Sequence, residues 1–334
     1  MSLIKLFSRR VLCLHLGSDS FSAVLRQGKL FDAASSHYQV VANPEQAWQV
    51  VLAELQSWLR HAPAGFQGLP LRISLASRWC QMQSLPWSDA MLTPASAARF
   101  LQNQFVAAYG EAARDWVISS DDAPYGEPRM ACAIERDLHD ALLALGYELH
   151  QGGATSASAA GHGVSLMGAG SGAASGAGLG IGSGAGSGAG SGAGDSSRFG
   201  LRSGQRDGAA RGALQALEPV VAQAVRAILA RVGRREACAV IEPGRFSLCL
   251  LQQQRIVGLQ TQACGANWER EVAASWMRWT LRQPELAQIR QVALLNLGVP
   301  ANPAAALAAP FEPVLLPTFN LPANLASLTC DRGA

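Results

Sequence analysis

The sequence predicts an α/β protein with mixed sheets, built as two related halves. Three observations predict it. Short runs that alternate apolar and polar residues recur between stretches whose apolar residues repeat at helical spacing, the order expected when helices cover a sheet. A strand, a tight hairpin and a returning strand open the chain, and three strands in hairpin succession open its later part, so the start is duplicated. A block rich in glycine, alanine and serine, residues 152–212, stands between the two.

Taken in order, strands are predicted at residues 11–16, 21–26, 36–41, 71–76, 79–85, 116–120 and 130–135. The segment after Pro44 places Trp48, Val51, Leu52, Leu55 and Leu59 on one helical face. Thr93 caps a helix with Pro94 in its first turn, and Ala97, Phe100, Leu101 and Phe105 repeat behind it. Asp137 opens a shorter helix carrying Leu138, Leu142 and Leu145. Beyond the block, residues 214–217 read as a strand, and Glu218-Pro219 starts a helix with Val221, Ala224, Val225, Ile228, Leu229 and Val232 as its apolar stripe. Strands at 238–241, 245–252 and 255–260 follow, then a helix with Trp268, Val272, Trp276 and Trp279, then a strand at 291–297. Trp276 and Trp279 are read as core or interface anchors.

The predicted organisation is an apolar-basic leader (1–10), a first domain with an inserted subdomain (11–151), the Gly/Ala/Ser insert (152–212), the completion of that subdomain with a connecting helix (213–235), a reduced second domain (236–300) and a Pro/Ala-rich tail (301–334). The insert has almost nothing apolar to offset the entropy of ordering its backbone and is expected to be disordered.

Apolar residues make up 49% and charged residues 15% of the 334 residues, which suits a globular chain with an inert insert. A net charge of +3 gives no ground for a nucleic-acid partner. Lys5 and Lys29 are the only lysines, so lysine-based catalysis has almost no candidates. The seven cysteines, at 13, 80, 132, 238, 249, 264 and 330, contain no C-x-x-C pair and sit largely in apolar runs, which reads as buried reduced thiols in a cytoplasmic protein. No run reaches the roughly 18 apolar residues of a membrane span. The apolar stretch after Arg9 and Arg10 ends in a strand pattern without a cleavage site, so it is not read as a signal peptide.

Candidate chemistry concentrates in one hairpin. The turn Gly17-Ser18-Asp19-Ser20, between two strands, can aim backbone N–H groups and hydroxyls at a phosphate; as a plain hairpin, the same residues serve the turn itself. His15 precedes it on the strand face shared by Val11 and Cys13, opposite Leu12, Leu14 and Leu16, and is expected to be a hydrogen-bonded structural histidine. Asp121, Asp122 and Glu127 read as a solvated connection between strands. No G-x-x-x-x-G-K-[ST], G-x-S-x-G or H-E-x-x-H motif occurs.

The hairpin from His15 to Ser20 resembles the first phosphate-binding hairpin of the actin-like ATPase superfamily, usually Asp-x-Gly-Ser/Thr-x-Ser/Thr. Glu242-Pro243-Gly244 stands where that superfamily carries Asp-x-Gly, and Leu295-Asn296-Leu297-Gly298 where it carries a Gly-Gly pair beside adenosine. Within it, the leader, residues 14–24, residues 136–146 and Glu218-Pro219 are similar to the PilM-like family of type IV pilus assembly, with the cytoplasmic domains of GspL-like type II secretion proteins as near relatives. The resemblance implies an actin-like (ribonuclease H-like) two-domain fold, with Gly17, Ser18, Asp19, Ser20, Glu242, Gly244 and Gly298 around a nucleotide cleft. Three departures weaken the chemistry it implies. His15 replaces the aspartate that holds a metal-bound water, Ser22 stands where such chains carry a lysine, and only one helix fits between Gly265 and residue 291 where the family inserts a subdomain.

The expected function is therefore a non-catalytic cytoplasmic scaffold of a pilus or related secretion assembly, peripheral to the inner membrane. It would bind the cytoplasmic tail of a single-span assembly protein in a groove beside the inserted subdomain, and a motor ATPase as a further partner. No metal or cofactor is required, with weak ATP and magnesium binding left open. The alternative is an active actin-like ATPase or sugar kinase whose magnesium chemistry falls to Glu242 or Asp19; a structural or adhesive protein built on the insert is a third reading.

Overall fold

The computed structural model of the chain describes residues 10–28, 30–159, 214–300, 309–315 and 326. The first half opens with β1 (Arg10–Leu16), β2 (Ser20–Gln27) and β3 (Leu30–Val40), an antiparallel meander. After α1 (Trp48–His61), β4 (Leu71–Leu75) returns parallel to β1. A separate three-stranded sheet follows, with β5 (Gln81–Leu85), β6 (Val117–Ser120) and β7 (Arg129–Ile134) in the order β5-β7-β6 and α2 (Pro94–Tyr109) beside it. Next come α3 (Arg136–Ala159) and β8 (Leu214–Pro219), which pairs parallel with β4. The second half repeats the plan with β9 (Ala237–Glu242), β10 (Arg245–Gln252), β11 (Arg255–Ala263), β12 (Val292–Asn296) and β13 (Phe311–Pro313). Its sheet order, β11-β10-β9-β12-β13, matches β3-β2-β1-β4-β8 strand for strand, a meander followed by two parallel strands. The predicted duplication is thus present in the topology.

Two helices explain how the halves meet. In α1, Val51, Leu52, Leu55 and Leu59 form the buried stripe that covers Leu12, Leu14 and Leu16. The helix α4 (Val220–Val232) joins the halves, and its Val221, Ala224, Val225 and Ile228 share one core with β1 and with Cys238, Val240 and Leu295 of the second sheet. A helix apolar around most of its circumference belongs in such a position, between two sheets. The other face of the second sheet is closed by α5 (Trp268–Arg282), through Trp268, Val272, Trp276 and Trp279. Thr93 caps α2 as predicted, its Oγ1 accepting from Ser96 N at 3.3 Å with Pro94 in the first turn. Among the described residues no helix is long and apolar enough to cross a membrane.

Several elements differ from the sequence expectation. The third strand begins at Leu30, earlier than residue 36. Glu218 and Pro219 end β8 rather than begin the helix; Pro219 lies on an edge strand, where its missing N–H costs no ladder bond, and the Glu218 carboxylate pairs with Arg226 one turn and more into α4. Helix α3 runs through Ala159, longer than the short helix expected to carry Leu138, Leu142 and Leu145, because an established helix propagates through poor formers more readily than one can start there. The remainder of the predicted insert, residues 160–212, lies outside the described residues, as do the leader 1–9 and most of the tail. The tail nevertheless supplies β13, three residues whose order comes from pairing with β12. Cys13 is disulfide-bonded, against the expectation of reduced thiols throughout, whereas Cys80, Cys132, Cys238, Cys249 and Cys264 are free.

Candidate functional site

The cleft between the halves forms where the β1–β2 turn, the turn after β4 and the β9–β10 hairpin converge. Its lining is His15, Gly17, Ser18, Ser20, Ala76, Arg78, Glu242, Pro243, Arg245 and Leu297. Mouth included, it spans about 370 Å³, but its inner cavity is about 20 Å³, room for little more than one water.

The β1–β2 turn is held from behind. The carbonyl of Gly17 accepts from Trp79 Nε1 at 2.8 Å, that of Ser18 from Asn43 Nδ2 at 2.7 Å, and that of Asp19 from Val41 N at 2.7 Å. Gly17 N donates to Ser20 O at 2.8 Å, so the turn closes tightly. A Cβ on Gly17 would stand 2.9 Å from both Ser20 O and Ser20 Oγ, which is why glycine is required there. The N–H groups of Ser18 and Asp19 have no acceptor among the described residues.

His15 is 4% exposed and its Nδ1 lies 3.2 Å from Ser74 Oγ on β4. Burial pushes its pKa down to about 4, so the ring is neutral at physiological pH, the hydrogen-bonded histidine that the sequence suggested. Glu242, at the end of β9, is also 4% exposed. Its two oxygens are both engaged across the cleft: Oε2 accepts from Ser77 N at 2.9 Å, and Oε1 accepts from Ser77 Oγ. Burial raises its pKa, while the Ser77 bonds and the nearby Arg245 act in the opposite direction. The carboxylate therefore serves as a latch between halves 165 residues apart in sequence.

The predicted site residues divide. Gly17, Ser18, Ser20 and Glu242 line the cleft together, whereas Asp19, Gly244 and Gly298 do not. Gly244, with φ of 73°, forms the β9–β10 turn, and Gly298, with φ of 91°, sits in a turn closed by Asn296 Oδ1 accepting from Val299 N at 2.8 Å. Ser22 is fully buried and its Oγ accepts from Ala326 N at 3.0 Å, so it serves the tail rather than the cleft. Sequence reasoning missed Ser74, Ser77, Arg78, Trp79 and Arg245; the one local signal was the Ala-Ser-Arg-Trp turn directly after β4.

Asp121 is a correction to the expected solvated loop. It is 3% exposed, takes Met130 N at 3.0 Å and pairs with Arg255 at 2.8 Å, while Glu127 takes the other arm of Arg255 at 2.7 Å. Desolvation raises its pKa in spite of that arginine. These bonds, with Ser84 Oγ donating to Val257 O at 2.5 Å, tie the three-stranded sheet to β11.

The cleft lining offers a hard cation one carboxylate, that of Glu242. A neutral imidazole is a poor ligand for a hard cation, and Glu242 has both oxygens bonded to Ser77. Among the described residues no group of three or more His, Cys, Asp and Glu is placed to hold a metal ion.

No family model matches the sequence, and no curated protein matches it. Solved structures do. A Bacteroides thetaiotaomicron protein with an actin-like ATPase fold and unknown function aligns over 99% of this chain and 100% of that one, at 11% identity and a TM-score of 0.51. Two looser likenesses are the cytoplasmic domain of EpsL from the type II secretion system of Vibrio cholerae (13% identity, 96% and 94% coverage, TM-score 0.44) and a PilM–PilN type IV pilus biogenesis complex (13%, 91% and 88%, 0.43). With the repeated strand order of its two large sheets, the chain has the actin-like fold.

Proposed function

We propose that the protein is a non-catalytic scaffold of a type IV pilus or related secretion assembly, which binds the cytoplasmic tail of an inner-membrane assembly protein. The observation that carries the non-catalytic part is the Glu242–Ser77 latch: the acidic residue best placed for magnesium chemistry holds the two halves together instead. The ATPase or sugar-kinase alternative needs Glu242 or Asp19 for that chemistry, and Asp19 lies off the cleft lining. The PilM-like character of the hairpin and leader supports the assembly role.

The pocket that this reading assigns to the peptide lies where the start of α1, the turn after β4, the three-stranded sheet and the start of α3 meet. Trp48, Trp79, Trp116 and Leu138 give it apolar walls, and Arg78, Gln81 and Glu135 give it polar ones. Trp48 Nε1 donates to Glu135 Oε2 at 2.9 Å across it, which fixes one wall. Aromatic anchors with a few polar groups suit an extended peptide. The test is a crosslinked capture from the native host's membranes with tagged wild-type protein and with Gln81→Trp, which fills the groove. Recovery of a single-span pilus or secretion protein, lost in the variant, supports the reading. Recovery of soluble proteins alone, or of the same partner with both proteins, overturns it.

A further inference from the structure

The second half carries an outward face that its core does not use. Helix α5 turns Trp268, Val272, Trp276 and Trp279 onto the second sheet. On its opposite side Arg270, Ala274, Met277 and Leu281 follow one another at helical spacing, all exposed. Met277 is 64% and Leu281 76% exposed, so two large apolar side chains are held in water. Arg278 and Arg282 flank them one step around the helix, also exposed. None of the three arginines belongs to an ion pair among the described residues, and Arg278 Nη2 donates to Gln262 Oε1 at 3.4 Å. The two carboxylates of the helix are turned away from this face: Glu269 is 3% exposed, and Glu271 Oε1 accepts from Gly265 N at 3.1 Å. Beyond the helix, exposed Glu285 is matched by exposed Arg290. The face is therefore convex and cationic, with an apolar line along it.

We infer that this face of α5 lies on an anionic lipid surface, with Met277 and Leu281 entering the headgroup layer and Arg270, Arg278 and Arg282 meeting lipid phosphates. A helix held in the plane of a membrane binds through the apolar area it buries together with the attraction of its basic residues to anionic lipid. Arginine side chains can lay their apolar stems along that layer while the guanidinium stays with phosphate oxygens, which it pairs through parallel N–H donors. Charge argues against a second copy of the chain, since a two-fold contact across this face would set the three arginines against the same three. The apolar part is two large side chains, too few for the core of a stable protein interface, whereas a bilayer demands no complementary shape. A convex helix also offers no groove to a peptide. The inference does not depend on the partner assigned to the pocket at Trp48.

Cosedimentation of the full chain with lipid vesicles tests it, using phosphatidylglycerol mixed with phosphatidylethanolamine on one side and phosphatidylcholine alone on the other. The expected result is binding to the phosphatidylglycerol vesicles that weakens as salt is raised, with little binding to phosphatidylcholine. Arg278→Gln with Arg282→Gln should weaken it about tenfold or more, for two basic residues taken from an anionic surface. Met277→Ser with Leu281→Ser should weaken it by about tenfold, for the apolar area no longer buried. All four side chains are exposed, so the urea midpoints should match wild type in both variants. Leu6→Ser with Phe7→Ser, in the apolar-basic leader, should bind as wild type. Poly-glutamate, a soluble polyanion, separates an acidic protein surface from a bilayer. If it binds as tightly as the vesicles do, and Met277→Ser with Leu281→Ser leaves that binding intact, the ligand is an acidic protein surface and the inference is overturned. Equal binding to both vesicle types, no binding to either, loss in the leader variant alone, or undiminished binding in both α5 variants overturns it as well.

Discussion

Ser77→Ala tests the latch directly. The change deletes the hydroxyl that donates to Glu242 Oε1 and leaves Ser77 N on Oε2. Both residues are 4% exposed, so solvent does not replace the lost donor. A hydrogen bond to a charged group contributes roughly 1.5–3 kcal/mol. The loss is capped, because the buried carboxylate already has a raised pKa and can take a proton when its partner goes. The expected cost is about 2 kcal/mol, read by urea unfolding, together with faster hydrogen exchange at the Ser77 amide as the halves separate more often. In a Glu242→Gln background the same change should cost only about 1 kcal/mol, since the acceptor there is neutral. A cost below about 0.5 kcal/mol, or equal costs in both backgrounds, would refute a charge-assisted latch.

Other expected outcomes follow from the same residues. Glu242 has a folded pKa above 4.5, so its contribution to stability falls as pH rises from 4.5 through the raised value, and Glu242→Gln should remove that fall from a pH series of urea midpoints. His15 has the opposite sign: with a pKa moved from 6.5 to about 4, stability rises with pH across that window, and NMR should show its ring uncharged at pH 5. Gly17→Ala should cost about 1–3 kcal/mol through the Ser20 clash and shift amide resonances throughout the turn. Asp121→Asn should cost roughly 1.5–3 kcal/mol, since Arg255 loses one of its two carboxylates and keeps Glu127, and the double change Asp121→Leu with Arg255→Met should recover most of it; no recovery would count against the ion pair as the cause.

What could be read from the sequence follows from how local each signal is. The cap at Thr93, the α1 stripe and the three strands from Ala237 are set by residues close together, and the structure agrees. Strand β13 is defined by its partner β12 alone, and three residues carry no period. Pro219 fits a helix start and an edge-strand end equally well, and only the pairing of β8 with β4 decides. The site shows the same divide. The Gly17 turn announces itself, whereas Ser77 and Arg78 gain meaning only from Glu242 and Arg245, brought from far along the chain.

The position of β8 bears on how this protein can be made. The fifth strand of the first sheet is encoded after the glycine-rich insert, so the ribosome releases the first half's other elements long before the strand that completes their sheet. Until then β4, with Leu71, Ile73 and Leu75 at 1% exposure or less in the finished fold, carries an unpaired apolar edge. Such an edge recruits other strands. A fragment ending at residue 151 should accordingly aggregate, and co-expression with a second fragment beginning at residue 213 should restore it, placing the quality of biosynthesis under the control of a six-residue strand.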